Sequence, residues 1–207
     1  MMEPDLTRYL EALLAGDRPG ARAALEAAIV TGGGGAARVS LVRAGQAELG
    51  RLWAAGRISV AVEHRATAIA QTLLREARSA AETPRGPRRV LVACVEGELH
   101  DLAAEIVALE LEDRGCDVTF LGGNVAVWQL LERVHAIRPD VVVLSLTMQE
   151  NIGSARRTVE ALRADGEREV TVFVGGPNVK PADGPADIYL RGGVEELYER
   201  IGVARPA

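Results

Sequence analysis

The chain has 207 residues, room for one large domain or two small ones, each with its own core. Hydrophobic residues make up 48% and charged residues 26%, the balance of a soluble globular chain, with only 3% aromatics, so the core must rest on Leu, Val, Ile and Ala. A formal net charge of -5, with no basic run interleaved with aromatics, argues against unassisted nucleic-acid binding.

Up to Ala81 the pattern is helical. Leu6, Tyr9, Leu10, Leu13 and Leu14 follow the three-four spacing of one helix face. This first segment, MMEPDLTRYLEALLAGD, is acidic early and has no unbroken apolar run, so a signal peptide is not expected. DRPGARAALEAAIV reads as a second helix, stopped by the glycines of TGGGGAAR, a run expected to be a flexible inter-helix loop. A third helix is expected from about Ala37 to Ala55, packing through Val42, Leu49, Leu52 and Trp53. Gly56 ends it, and Ser59 can cap a fourth helix reaching about Ser79. Short connections predict an antiparallel four-helix bundle over residues 1–81. The stretch AETPRGPRR, with residues 82–89 at its heart, is a linker by composition.

From residue 90 to 207 strands alternate with helices. RRVLVACV, DVTFL, DVVVLSL, VTVFVGG and DIYL read as strands, separated and followed by helices with regular apolar spacing. The expected fold class is therefore α/β: an N-terminal four-helix bundle followed by a flavodoxin-like (Rossmann-type), doubly wound parallel five-stranded sheet. Such sheets bind ligands beyond the carboxyl ends of their strands, which singles out the loops EGELH, LGGN, SLTMQEN and GGPN. No apolar run approaches transmembrane length, and Cys94 and Cys116 lack metal or redox spacing, so a cytoplasmic chain with reduced thiols is expected.

Two readings stand for His100. It is either a solvated histidine near a helix start or a metal ligand on the favoured rim of the sheet. The positive end of the helix macrodipole disfavours a protonated ring there, and a ligand must be neutral. Glu98 would then accept the other ring N–H, and Ser145 would extend the relay. With no second His or Cys nearby, a single-histidine site makes sense when a macrocycle supplies the other ligands. Gly122, Gly123, Gly175 and Gly176 follow strands two and four, either as plain turns or to let a bulky ligand approach the backbone. EGELHD is neither a dinucleotide fingerprint nor a phosphate loop. His135, Arg156 and Arg157 read as solvated helix residues, and no Ser-His-Asp set or glycosidase-like carboxylate pair is evident.

GELHDLAAEIVALELEDRGCDVTFLGGNV, followed by LSLT and VGG, resembles the cobalamin-binding domain of methionine synthase and its relatives. The family's D-x-H-x-x-G motif falls on Glu98, His100 and Ala103. The resemblance implies His100 as lower cobalt ligand in place of the cofactor's own base, Glu98 and Ser145 as its hydrogen-bond relay, Thr147 and Gly122 beside the cofactor, and Gly175 and Gly176 lining the slot for the displaced nucleotide tail. Glu for Asp and Ala103 for Gly are departures from the motif.

In the helical half, LWAAGRISVAVEHRAT resembles the W-x9-E-H signature of CarH-type cobalamin photoreceptors, including photocobilin-like members. That resemblance implies that Trp53, Glu63 and His64 meet the 5′-deoxyadenosyl group of adenosylcobalamin under a bundle that caps the upper corrin face. It further implies a light-driven change in quaternary structure or partner contacts, for which a homo-oligomer or an unidentified protein partner is expected; the acidic balance and the lack of a long apolar run lead to no expected nucleic-acid or membrane contact. Photocobilins add a bilin such as biliverdin. Each residue also has a structural reading: Trp53 in the bundle core, Glu63 as a first-turn acid, His64 exposed. Where CarH-type proteins carry a histidine directly after the tryptophan, this chain has Ala54, which cannot ligate cobalt. The alternatives are a corrinoid protein carrying methyl groups for a methyltransferase system, and a corrinoid-free flavodoxin-like interaction module.

Overall fold

The computed structural model describes residues 4–32, 35–79, 86–166, 170–180, 182–184, 188–190 and 193–203. They fall into two compact units, Met1–Glu82 and Thr83–Ala207. Residues 82–85 of the predicted linker lie outside the described residues, and Arg89 at its other end already belongs to the first strand.

Among the described residues the first unit contains four helices: α1 (Pro4–Ala15), α2 (Arg18–Gly32), α3 (Gly35–Ala54) and α4 (Val60–Ser79). Its core is built from Tyr9 and Leu13 of α1, Leu25 and Ala28 of α2, Val42 and Leu49 of α3, and Ala66, Ala70 and Leu74 of α4, all buried. Small residues set the helix spacing. A Cβ on Gly45 would lie 2.8 Å from the Tyr9 ring, so α1 and α3 approach closely only because position 45 has no side chain. Ser59 starts α4 as expected: its carbonyl and hydroxyl accept the Val62 N–H at 3.1 and 3.3 Å.

The TGGGG run was expected to be an inter-helix loop; α2 continues through Thr31 and Gly32 and α3 begins at Gly35, and Gly33 and Gly34, between them, lie outside the described residues. Packing of the apolar stripes holds Gly32 and Gly35 helical against an intrinsic cost of roughly 1 kcal/mol each. One expectation fails here. Trp53 does not join the α3 packing face. Its neighbour Leu52 is buried, while Trp53 is 52% exposed, because one residue's turn along the helix carries it off the stripe.

The second unit runs β1 (Arg89–Cys94), α5 (Leu102–Asp113), β2 (Asp117–Phe120), α6 (Val127–Ile137), β3 (Val141–Ser145), α7 (Ile152–Asp165), β4 (Thr171–Gly175) and α8 (Gly193–Ile201). The strands are all parallel, in the order β2-β1-β3-β4. Both sheet faces are covered, which explains the unbroken apolar strands. Leu91, Ala93, Val142, Leu144, Val172 and Val174 pack with Leu130 of α6 and Ala155, Val159 and Leu162 of α7. On the opposite face Val90, Val92, Val143 and Phe173 pack with Ala104, Ala108 and Leu111 of α5 and Leu197, Tyr198 and Ile201 of α8. This is a doubly wound, Rossmann-like α/β unit.

The fifth strand is a correction. Among the described residues DIYL contributes one parallel bridge, Tyr189 to Val174, with Val174 N–H donating to Ile188 and Leu190 N–H donating to Val174. The chain before it is held in a turn, where the Lys180 N–H donates to the Asp183 carboxylate and Gly184 lies under the Tyr189 ring. Among the described residues Tyr189 is the one position of DIYL in register beside β4, and Asp187 lies outside them. No helix among the described residues is long and apolar enough to cross a membrane.

Candidate functional site

In the order β2-β1-β3-β4, the chain leaves β1 toward β2 on one side and resumes as β3 on the other. The crevice between the loops after β1 and β3 is therefore the topological switch point, where a parallel sheet opens to a ligand. Glu98 and His100 lie on the first of these loops, and Thr147, Met148 and Asn151 on the second.

Glu98 joins the two loops. Its side chain is fully buried. Oε1 accepts the His100 backbone N–H at 2.9 Å and faces His100 Nδ1 at 2.7 Å. Oε2 accepts the backbone N–H groups of Thr147 and Met148, each at 2.8 Å, and the Asn151 side-chain amide at 3.1 Å. Burial by itself would raise the carboxyl pKa. The hydrogen bonds from Met148, from the His100 backbone and ring, and from Thr147 outweigh it and pull the value down to about 2. Glu98 is thus an anion and accepts only.

That sets the tautomer of a neutral His100 ring. The ring nitrogen facing an ionised carboxylate must carry the proton, so Nδ1 donates, and in the neutral ring Nε2 presents a bare lone pair. The side chain is 59% exposed, so this lone pair is accessible. Leu99, 74% exposed, and Met148 lie on the same two loops and supply apolar surface beside it. Among the described residues no group of three His, Cys, Asp or Glu side chains converges, so the protein offers a metal one nitrogen here. A lone, oriented imidazole suits a metal whose remaining ligands come with it.

Ser145 does not extend the relay. It is buried at the end of β3 beside Cys94, its register partner on β1, and the positions it was expected to fill at Glu98 are taken by Thr147, Met148 and Asn151. The strand's pleat points Ser145 to the Cys94 side, whereas the loop beyond it turns its N–H groups to the carboxylate. Sequence reasoning missed Asn151 and the two backbone donors; the only signal was their place in SLTMQEN. Cys94 itself is pushed up to about 12 by burial and by the negative charges of Asp101 and Glu98.

Asparagines tie the remaining loops together. Asn124, at φ +52°, accepts the Gly97 N–H at 2.8 Å and donates its own N–H to the Glu98 carbonyl at 2.7 Å. Asn178 donates to the Thr147 carbonyl at 2.7 Å. Gly122 adopts φ +82° and accepts the Cys94 N–H, while a Cβ on Gly123 would come within 3.2 Å of the Glu98 carbonyl. Gly175 has only an ordinary neighbour in Leu190, but a Cβ on Gly176 would lie 1.6 Å from the Leu146 carbonyl oxygen. Ala103 is exposed on the first turn of α5.

In the helical unit the short connection between α3 and α4 brings Trp53, at the end of α3, and Glu63 and His64, in the first turn of α4, to the same end of that hairpin. His64 is exposed, with Nε2 3.6 Å from the Glu63 carboxylate. Thr67 Oγ1 stands 2.8 Å from Glu63 Oε1 and 2.9 Å from Gln46 Oε1. One hydroxyl proton serves one acceptor; with the Gln46 amide turned over, Gln46 donates to Thr67 and Thr67 donates to Glu63, a directed chain. Ala54 is exposed beside Trp53. Away from both sites, His135 is not simply solvated: its Nε2 meets Asp165 at 2.8 Å. Arg156 donates to the Asp183 carbonyl and Arg157 to the Ser154 hydroxyl.

Residues 88–201 match the family model of the B12 binding domain, and residues 6–78 match a second model of the same description. The chain belongs to the B12-binding family. Among its curated relatives is the HTH-type transcriptional repressor CarH of Myxococcus xanthus, 33% identical over 129 residues, 62% of this chain and 43% of that protein. CarA of the same organism is 37% identical over 90 residues, 43% of this chain and 31% of its own length. Dimethylamine corrinoid protein 2 of Methanosarcina acetivorans is 34% identical over 83 residues, 40% and 38% of the two chains. This B12-binding chain thus matches under half the length of each. The monomethylamine corrinoid protein of Methanosarcina barkeri shares the fold, with a TM-score of 0.73 at 17% identity over 93% of this chain and 94% of that one.

Proposed function

We propose that this B12-binding chain is a light-responsive regulatory protein that holds adenosylcobalamin with His100 as the lower cobalt ligand. The observation carrying the ligand assignment is the buried Glu98 anion that bonds His100 Nδ1 and so leaves Nε2 bare and accessible. Residues that fit the cofactor lie around it: an oriented imidazole, exposed apolar side chains at Leu99 and Met148, and a β2–α6 loop in which Gly122 turns left-handed and Gly123 lets the backbone close on the Glu98 carbonyl. Bound adenosylcobalamin would supply a cobalt–carbon bond that light breaks.

The residues proposed to respond are Trp53, Glu63 and His64. Trp53 is half exposed at the end of α3, which supports availability for a ligand contact rather than a place in the core. Glu63 is held by Thr67, and His64 is free to reorient beside it. Ala54 brings no imidazole, so after illumination the upper position would be filled by His64 or by water. Loss of a contact at Trp53 then biases a two-state element whose output is self-association or binding of a partner protein.

A second reading, a corrinoid protein carrying methyl groups, is supported by the dimethylamine corrinoid relatives at similar identity. The deciding experiment is an absorbance spectrum of protein mixed with adenosylcobalamin in darkness, washed, and then exposed to green light, with His100→Ala alongside. The proposal expects a retained His-on spectrum that converts irreversibly on illumination and is lost in the variant. Tight binding with little light response points to methyl carriage. Long-wavelength bands in untreated protein identify an added bilin, and a colourless protein overturns the proposal.

A further inference from the structure

We propose that Asn151 is the positioning residue of the His100 site: its side-chain amide holds Glu98 in the orientation that leaves His100 Nε2 bare. The inference rests on the reading of His100 as the cofactor's ligand and adds a residue that neither the family motif nor the relay drawn from the sequence contains.

Three observations carry it. Asn151 occupies the N-cap of α7, where an asparagine side chain ordinarily bonds the helix's own first N–H groups, yet it makes no cap bond. Its amide reaches back to Glu98 Oε2 instead, at 3.1 Å. The other end of the same amide closes on the β1 loop: a Cβ on Gly97 would lie 2.8 Å from Asn151 Oδ1, so residue 97 leaves room for it. The remaining donors to Oε2, from Thr147 and Met148, are backbone groups. Asn151 is therefore the side chain through which α7 and the β3 loop set the angle of the Glu98 carboxylate, and through it the proton on His100 Nδ1. The hydroxyl expected to do this, that of Ser145, is not among the groups that bond the Glu98 carboxylate.

The test reads the apo protein first. With three histidines in the chain, the ring nitrogens of His100 are identified by comparison with His100→Ala in long-range proton–nitrogen spectra. The wild type is expected to show Nδ1–H with bare Nε2. Asn151→Asp keeps the size and the capping oxygen but loses the donor and faces Glu98 with a second carboxylate; Asn151→Ser keeps a capping hydroxyl too short to reach. Both are expected to move His100 toward the Nε2–H form that an unrestrained imidazole prefers, and to weaken adenosylcobalamin binding roughly 10- to 100-fold with loss of the His-on spectrum.

A folded Asp or Ser variant that keeps Nδ1–H and binds as the wild type overturns the proposal, since a capping or packing role alone predicts that result. A wild type that holds Nδ1–H, responds to both substitutions and yet retains no cobalamin supports the hold of Asn151 on His100 while overturning the cobalt-ligand reading.

Discussion

At the scale of single residues, Glu98 is a buried charge whose stabilisation depends on pH. Its folded pKa of about 2 lies below its ordinary 4.5, so the unfolded chain takes up the proton more readily. The stabilisation, about 3 kcal/mol, is complete above pH 4.5 and is lost as pH falls toward 2. Glu98→Gln removes the charge and sets an amide N–H among donors. Urea unfolding of the apo protein should show the variant less stable by roughly 2–3 kcal/mol at pH 6, with the gap narrowing on acidification. A gap constant from pH 6 to pH 3 would show that the carboxylate is not held as an anion. Gly176→Ala tests a different force. A methyl 1.6 Å from the Leu146 carbonyl cannot be accommodated without moving backbone, and a loss of about 3 kcal/mol or more is expected in the same assay.

At the scale of elements, the helix periods were legible and the residues at their margins were not. Every helix of the second unit begins and ends within a few residues of the pattern, because Gly115, Pro139 and the apolar spacing act locally. Trp53 was placed on the packing face of α3 because apolar character alone cannot separate a stripe from its neighbour; 100° of rotation puts it in water. Trp53→Ala should therefore change stability by less than about 1 kcal/mol, whereas Leu49→Ala, fully buried on the same helix, should cost about 2–5 kcal/mol. Thermal unfolding of the two variants compares them directly. A Trp53→Ala cost in the Leu49 range would return the tryptophan to the core.

At the scale of the whole molecule, ligand binding and light are the levers. A ligand that binds only the folded chain stabilises it by about 2.7 kcal/mol at a hundredfold excess over its dissociation constant. Adenosylcobalamin is expected to raise the melting temperature of the full chain in darkness, and His100→Ala to remove much of that rise. Size-exclusion chromatography before and after green light checks the proposed output. A change in apparent mass supports switching through self-association, and an unchanged mass with an irreversible spectral change directs the search to a partner protein.

Short-range patterns in the chain were enough to read its class: helices first, then a parallel sheet with long loops at the carboxyl ends of the strands, and the pairing of Glu98 with His100. Those features rest on period, local turn chemistry and residues two apart, all of which act over short stretches of chain. Only the tertiary structure decided which groups surround the Glu98 carboxylate. Thr147, Met148 and Asn151 lie some fifty positions downstream of it and arrive through the crossover that sets β3 beside β1. The same folding sets Ser145 beside Cys94 and leaves the described part of the fifth strand with one bridge, because the direction of a side chain and the number of residues in register depend on neighbours far away in sequence.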